Sequence, residues 1–139
     1  MGIVAWFDKS LFEKVVFNLL SNAFKYTKGG GEIVLSVAKL KLKDVPAGQR
    51  KELESLSEDT ELVHLFVSDT GKGIPEDEMK NIFAPFYQIE DRKAKDVAGT
   101  GIGLSLTQSI VRLHHGTIWV ENNAQGGATF HVLFPIDRC

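Results

Sequence analysis

From Leu11 to Phe24 apolar side chains recur at helical spacing, and Leu11, Phe12, Val15, Val16, Leu19, Leu20 and Ala23 form one wide apolar face. Asp8 or Ser10 can cap this helix, and Lys28-Gly29-Gly30-Gly31 stops it after about Tyr26. A strand-like run, Ile3-Val4-Ala5-Trp6-Phe7, precedes it. Period-two alternation then marks two strands, Glu32 to Leu42 through Ile33, Leu35 and Val37, and Leu62 to Ser68 through Val63, Leu65 and Val67. Between them, Lys43 to Glu61 carries Pro46, Gly48 and many charges, and reads as a long, exposed, solvated connection. Pro75 opens a short helix from Glu76 to Ile82. Gly103 begins a longer one reaching about His115, with Leu106, Ile110 and Leu113 at core spacing and Gly116 as its stop. Thr117 to Glu121 and Thr129 to Phe134 complete the pattern as a hairpin across Asn122 to Gly127. The order β-α-β-β-α-α-β-β predicts an α+β fold, a two-layer sandwich with helices on one face of a mixed sheet.

Composition narrows the class without naming a chemistry. At 139 residues and 43% hydrophobic content, the chain fits one domain over residues 1–139 with a real core, and it has no apolar run of the ~18 residues that a membrane span needs. A net charge of −2 supplies no basic field for nucleic acid, and the lone Cys139 excludes a disulfide framework or a cysteine metal site. Neither nucleic acid nor membrane is expected as a partner of this domain, and cytoplasmic chemistry is permitted. Met1-Gly2-Ile3 lacks the regions of a signal peptide, and the chain is expected to be a fragment of a longer protein.

The candidate chemistry lies where polar groups interrupt this pattern. On the first helix Asn18, Asn22 and Lys25 fall within about 60° of one another at 100° per residue, beside an otherwise apolar surface. Mg²⁺ favours oxygen ligands and keeps several waters, so a neutral side-chain carbonyl suits a Mg-nucleotide. Asn22 is the expected ligand, Asn18 reaches a coordinated water or a phosphate oxygen, and Lys25 offsets phosphate charge.

Two glycine clusters of unlike design follow. In Asp69-Thr70-Gly71-Lys72-Gly73-Ile74 the carboxylate at a strand end can accept from the exocyclic amino group of adenine, and Gly71 and Gly73 let the backbone approach the base. Thr129 adds a hydroxyl if the last strand neighbours Asp69. In Gly99-Thr100-Gly101-Ile102-Gly103-Leu104 three alternating glycines stand before a helix, where backbone N–H groups and the helix dipole can meet phosphate. This cluster lacks the Lys-Ser/Thr ending of a Walker loop and follows a loop, not the strand of a dinucleotide fold. Between Phe86 and Gly99 a polar run holding Arg92, Lys93 and Lys95 reads as a lid, about residues 87–100, that closes over phosphates.

Asn18-Leu19-Leu20-Ser21-Asn22-Ala23-Phe24-Lys25-Tyr26-Thr27, Asp69-Thr70-Gly71-Lys72-Gly73-Ile74, Phe83-Ala84-Pro85-Phe86 and Gly99-Thr100-Gly101-Ile102-Gly103-Leu104 resemble the N, G1, F and G2 boxes of sensor histidine kinases. Gly116-Thr117-Ile118 and Gly127-Ala128-Thr129-Phe130 are similar to the closing hairpin of the same catalytic and ATP-binding domain, so nearly the whole chain is covered. Phe86-Tyr87-Gln88 and Gly103-Leu104-Ser105-Leu106-Thr107 are similar to the kinase module of hybrid two-component sensors of Bacteroides-type bacteria. The resemblance implies a Bergerat fold, shared with gyrase, Hsp90 and MutL ATPases, with a mostly antiparallel sheet and helices on one face.

The same resemblance implies ATP and Mg²⁺ as ligands. It makes Asn22 the metal ligand with Asn18 assisting, puts Lys25 on phosphate, Tyr26 beside the nucleoside and Asp69 on the adenine amino group, and lines the nucleotide with Gly71, Gly73, Ile74 and Gly99 to Leu104. Hydrolysing relatives place a glutamate one turn before the metal asparagine. Here Asn18 stands there and cannot act as a base, so phosphoryl transfer is favoured over hydrolysis. Two departures stand out: no arginine directly follows Phe86-Tyr87, and the insert 43–61 is longer than usual. Arg92, Lys93 and Lys95 remain equal candidates for the phosphate contact. None of His64, His114, His115 and His131 sits in an acceptor-like context. The implied partners are therefore a separate dimerisation domain bearing the phosphoacceptor histidine and, downstream, a response regulator receiver domain. The alternatives are an ATP-dependent interaction module without phosphotransfer and a gyrase-type ATPase.

Overall fold

The computed structural model describes residues 9–27, 29–50, 53, 56–84 and 103–135. Ile33–Lys41 (β1), Glu61–Asp69 (β2), Thr117–Asn122 (β3) and Ala128–Pro135 (β4) form one sheet in the order β1-β2-β4-β3. Every pairing among these strands is antiparallel, and the strand-like run 3–7 lies outside the described residues. Helices α1 (Lys9–Tyr26) and α3 (Gly103–Leu113) cover one face. Val15, Leu19 and Ala23, spaced by four along α1, are buried with Leu65 and Val67 of β2, Ile110 and Val111 of α3, and Phe130, Val132 and Phe134 of β4. The core lies on this helix side, as the helical and alternating patterns require of a two-layer fold.

The short helix α2 spans Glu76–Met79, less than the expected Glu76 to Ile82. The chain continues in tight turns, Asn81 N–H donating to Glu78 O (2.9 Å) and Ala84 N–H to Asn81 O (3.0 Å), which still deliver Ile82 and Phe83 to the core. Phe83 meets Phe130 edge-on at 6.3 Å. At the end of α3 the left-handed residue is His115, with φ of 64°, while Gly116 N–H returns to Val111 O at 2.9 Å. Gly116 is needed for another reason: a β-carbon there would overlap the carbonyl oxygen of Leu133.

The segment between β1 and β2 differs from the solvated connection its charges imply. Leu42 and Val45 turn inward from a short 3₁₀ segment, Leu42–Asp44, and with Leu53 are buried against Leu62 and Leu133 on the sheet face opposite the helices. Arg50 pins the turn by donating from Nε to Val45 O (2.8 Å) and from Nη2 to Lys43 O (2.6 Å). The apolar residues responsible are irregularly spaced among charges, which hides their common side.

Candidate functional site

β2 and β4 are adjacent, with Ser68 opposite Thr129, so the end of β2 meets the beginning of β4. There Asp69 is 7% exposed, and its Oδ1 accepts from Gly71 N–H (2.8 Å) and Ala128 N–H (3.2 Å). Oδ2 takes part in neither of these bonds. Past Gly71 the backbone turns through Gly73, with φ of +76°, into Ile74, which is buried in the same core as Ala23 of α1 and Ala128 of β4. A β-carbon on Gly73 would lie 2.7 Å from Gly126 O and 2.8 Å from Asn122 Oδ1. Only glycine meets both the conformation and the clearance.

Thr129 stands differently from expectation. Its strand does neighbour Asp69, but side chains alternate across a sheet, and Thr129 projects with Ser68 on the face away from the helices. Its hydroxyl hydrogen-bonds Ser68 Oγ at 2.9 Å. Thr129 therefore does not place a hydroxyl beside the Asp69 carboxylate, and the group of β4 that reaches Asp69 is the backbone N–H of Ala128.

On α1, Asn18 and Asn22 are half-buried and Lys25 is exposed. Asn18 Nδ2 donates to Thr107 Oγ1 (3.1 Å) and lies 3.4 Å from Gly103 O, while Thr107, fully buried, donates to Gly103 O at 2.8 Å. The amide thus ties α1 to the first turn of α3, bringing the polar stripe together with Gly103. This spends the Asn18 amide nitrogen on the protein and leaves the carbonyl of its side chain. Leu104 packs half-buried against the core. Thr27, just past α1, has a buried hydroxyl oxygen with no hydrogen-bond partner. Arg92, Lys93, Lys95, Gly99, Thr100, Gly101 and Ile102 lie outside the described residues, as does the side chain of Tyr26.

Two residues that the sequence reading placed only in the hairpin turn complete the corner. Asn122, the last residue of β3, accepts Ile74 N–H at Oδ1 and donates from Nδ2 to Ile74 O, both at 2.8 Å. Asn123 donates from Nδ2 to Asp69 O (2.8 Å) and Ser68 Oγ (3.0 Å) and accepts Gly127 N–H at 3.0 Å. The signal in the sequence is Asn-Asn ahead of Gly-Gly. It reads as turn chemistry, and nothing in it names a partner some fifty positions upstream.

The described donor set suits a Mg-nucleotide better than a bare metal ion. No group of three or more His, Cys, Asp or Glu able to hold a metal exists among the described residues. A neutral amide stripe, a carboxylate with one oxygen outside its two backbone bonds and an orphaned hydroxyl fit a ligand that brings its own charge and its own donors.

The four histidines have other occupations. His114 Nδ1 bonds Ile110 O at 2.9 Å, and His115 holds the helix end. On the outer sheet face His131 Nε2 meets Glu121 Oε2 at 2.7 Å and its Nδ1 meets His64 Nε2 at 2.9 Å. The carboxylate only accepts, so His131 carries its proton on Nε2 and the neutral pair is completed by His64 Nε2–H donating to His131 Nδ1. Trp119 stacks on His131 at 4.7 Å. Burial, then the neighbouring His131, hold the His64 pKa below its ordinary 6.5.

The sequence matches the family described as Histidine kinase-, DNA gyrase B-, and HSP90-like ATPase over residues 7–138. It is 40% identical over 129 residues to the adaptive-response sensory kinase SasA of Nostoc sp., covering 93% of this chain and 27% of that protein. With the sensor histidine kinase TmoS of Ectopseudomonas mendocina it shares 37% identity over 135 residues, covering 97% of this chain and 12% of that protein. The chain thus spans about a quarter or less of the length of these relatives. Among solved structures, the mycobacterial sensor histidine kinase MprB superposes with a TM-score of 0.75 at 23% identity, covering 97% of this chain and 78% of that one, a likeness of fold alone. The nucleotide-free catalytic domain of histidine kinase ThkA gives a TM-score of 0.66 at 29% identity, covering 93% of this chain and 69% of that one.

Proposed function

This chain belongs to the histidine kinase-, DNA gyrase B-, and HSP90-like ATPase family, and we propose that it binds Mg-ATP and holds the γ-phosphate for transfer to a histidine on a separate dimerisation domain. The observation that carries this reading is Asp69, buried at a strand end with Oδ1 occupied by two backbone donors and Oδ2 outside those bonds, beside the glycine loop Gly71 to Gly73. An acceptor held there favours the exocyclic amino group of adenine and opposes the carbonyl of guanine. Asn22, with Asn18 through its side-chain carbonyl, would hold the magnesium ion, which when bound neutralises phosphate charge. Lys25, Gly103 and Leu104, with Arg92, Lys93 and Gly99 to Ile102, would surround the phosphates, and Tyr26 would lie beside the nucleoside. Catalysis is then placement and charge neutralisation.

The acceptor would belong to another domain, a reading supported by the hydrogen bonds that His64, His114 and His131 make within this one. In the cell the phosphate would pass on to a response regulator receiver domain, in a cytoplasmic setting; no helix among the described residues is long and apolar enough to cross a membrane.

Calorimetry and phosphotransfer test the reading together. The isolated chain should bind Mg-ATP and Mg-ADP well above GTP, and Asp69→Asn should cost roughly 2–4 kcal/mol of that binding, the loss of a charge-assisted hydrogen bond with a mismatched group left behind. Phosphohistidine should form only when the dimerisation domain is added. Multiple turnovers of phosphate release without a partner, abolished in Asn22→Ala, would replace this reading with a gyrase-type ATPase.

A further inference from the structure

We propose that Asn122 and Asn123 are positioning residues of the base-reading corner, fixing the direction in which Asp69 presents its second oxygen and the path of the loop beneath the base. The inference rests on the nucleotide reading of Asp69 and deepens it. β3 is the outer strand and β4 stands between it and β2, so a residue of β3 reaches the corner only over the hairpin turn.

Asn122 does so with both ends of its amide. It pairs with N–H and C=O of the single residue Ile74, as a neighbouring strand would, and presses Oδ1 against the Gly73 α-carbon, where a β-carbon would find 2.8 Å. That pairing fixes the chain immediately after the left-handed turn at Gly73. Asn123 acts on the other side of the same loop. Its Nδ2 holds the carbonyl oxygen of Asp69, while its Oδ1 gathers Gly127 N–H, so that Gly127 lies against the Asp69 carboxyl and the next N–H, that of Ala128, reaches Oδ1. With Gly71 N–H bound to the same oxygen, the carboxyl plane has a single setting. Neither asparagine is placed in contact with the ligand; each acts through backbone that is.

A residue with only a stabilising role would change the melting temperature and leave base choice alone, because selectivity is a ratio within one folded state. The intact chain, Asn122→Asp, Asn123→Ser and Asp69→Asn are compared by calorimetry with Mg-ADP and Mg-GDP, with and without Mg²⁺, well below each melting temperature. Asn122→Asp keeps the acceptor for Ile74 N–H and sets a carboxylate against Ile74 O. Asn123→Ser shortens the reach to Asp69 O and provides a milder variant if the first does not fold. The ADP-to-GDP preference should fall by about tenfold in either variant, the effect of one well-placed hydrogen bond, while the Mg²⁺ dependence stays as in the intact chain. Added to Asp69→Asn, Asn123→Ser should have no further effect on preference, since the group it orients is gone. A folded variant with unchanged preference, or full additivity with Asp69→Asn, overturns the inference and leaves the nucleotide reading standing. Failure of the intact chain to bind Mg-ADP removes the nucleotide reading and this inference with it.

Discussion

A β-carbon at Gly127 would overlap the carbonyl oxygen of Asp69 and sit 2.6 Å from its Oδ1, whereas one at Gly48 would meet nothing within 4 Å. The same added β-carbon thus has opposite meanings at the two positions. Gly127→Ala is expected to destabilise by about 3 kcal/mol, as overpacking against backbone does, and to weaken Mg-ADP binding because the displaced residue is Asp69, whose carboxylate is proposed to read the base. Gly48→Ala should remain within about 0.5 kcal/mol of the parent. Urea denaturation of both, with an ADP titration of the folded protein, decides the matter; equal stability of the two variants would mean that β4 does not approach β2 this closely. Asp69 was legible as an acceptor because it ends an alternating run and is followed by two glycines and a second glycine cluster, although Asp-Thr-Gly alone is a common turn. That its partner is the N–H of Ala128 was not legible, because a backbone group has no residue identity.

The element most informative about local rules is α3. Its amphipathic spacing marked the helix, and Gly116 was the expected stop, yet the left-handed position belongs to His115. Glycine at C′ relieves a strain of about 1–2 kcal/mol in an L-residue, so His115→Gly should leave stability unchanged or raise it by up to about 1 kcal/mol once the greater freedom of unfolded glycine is counted. Gly116→Ala should instead cost about 3 kcal/mol through its collision with Leu133 O. In thermal melts Gly116→Ala should fall well below the parent, with His115→Gly at or above it. If Gly116→Ala melts with the parent, the packing of this turn on β4 is looser than described.

At the scale of the whole molecule, three strands are joined on the outer sheet face by Glu121, His131 and His64, with Phe66 and Trp119 packed around the rings. Burial and His131 depress the His64 pKa in the folded state. Below about pH 6.5 the unfolded chain therefore binds more protons than the native one, and stability falls as pH drops through that value; above it the contribution is constant. Denaturation at pH 7.5 and 5.5 should show the loss, and His64→Gln should flatten it. An unchanged slope in that variant would assign the acid sensitivity elsewhere.

The chain's own order of residues determined its secondary elements, because helix and strand periodicities, caps and glycine stops are local properties of Val15, Leu19 and Ala23 or of Leu65 and Val67. It determined the chemistry on offer as well, since Asn22, Lys25 and Asp69 carry their donors and acceptors wherever they fold. Only the tertiary structure decided who meets whom. The strand order β1-β2-β4-β3 sets Ala128 against Asp69 and turns the hydroxyl of Thr129 to the opposite face, and the helix packing commits the Asn18 amide to Thr107. It also folded Leu42, Val45 and Leu53 into a second core and brought Asn122 to Ile74 and Asn123 to Asp69. These contacts join residues far apart in the chain, through backbone groups and irregular spacings that no window of sequence records.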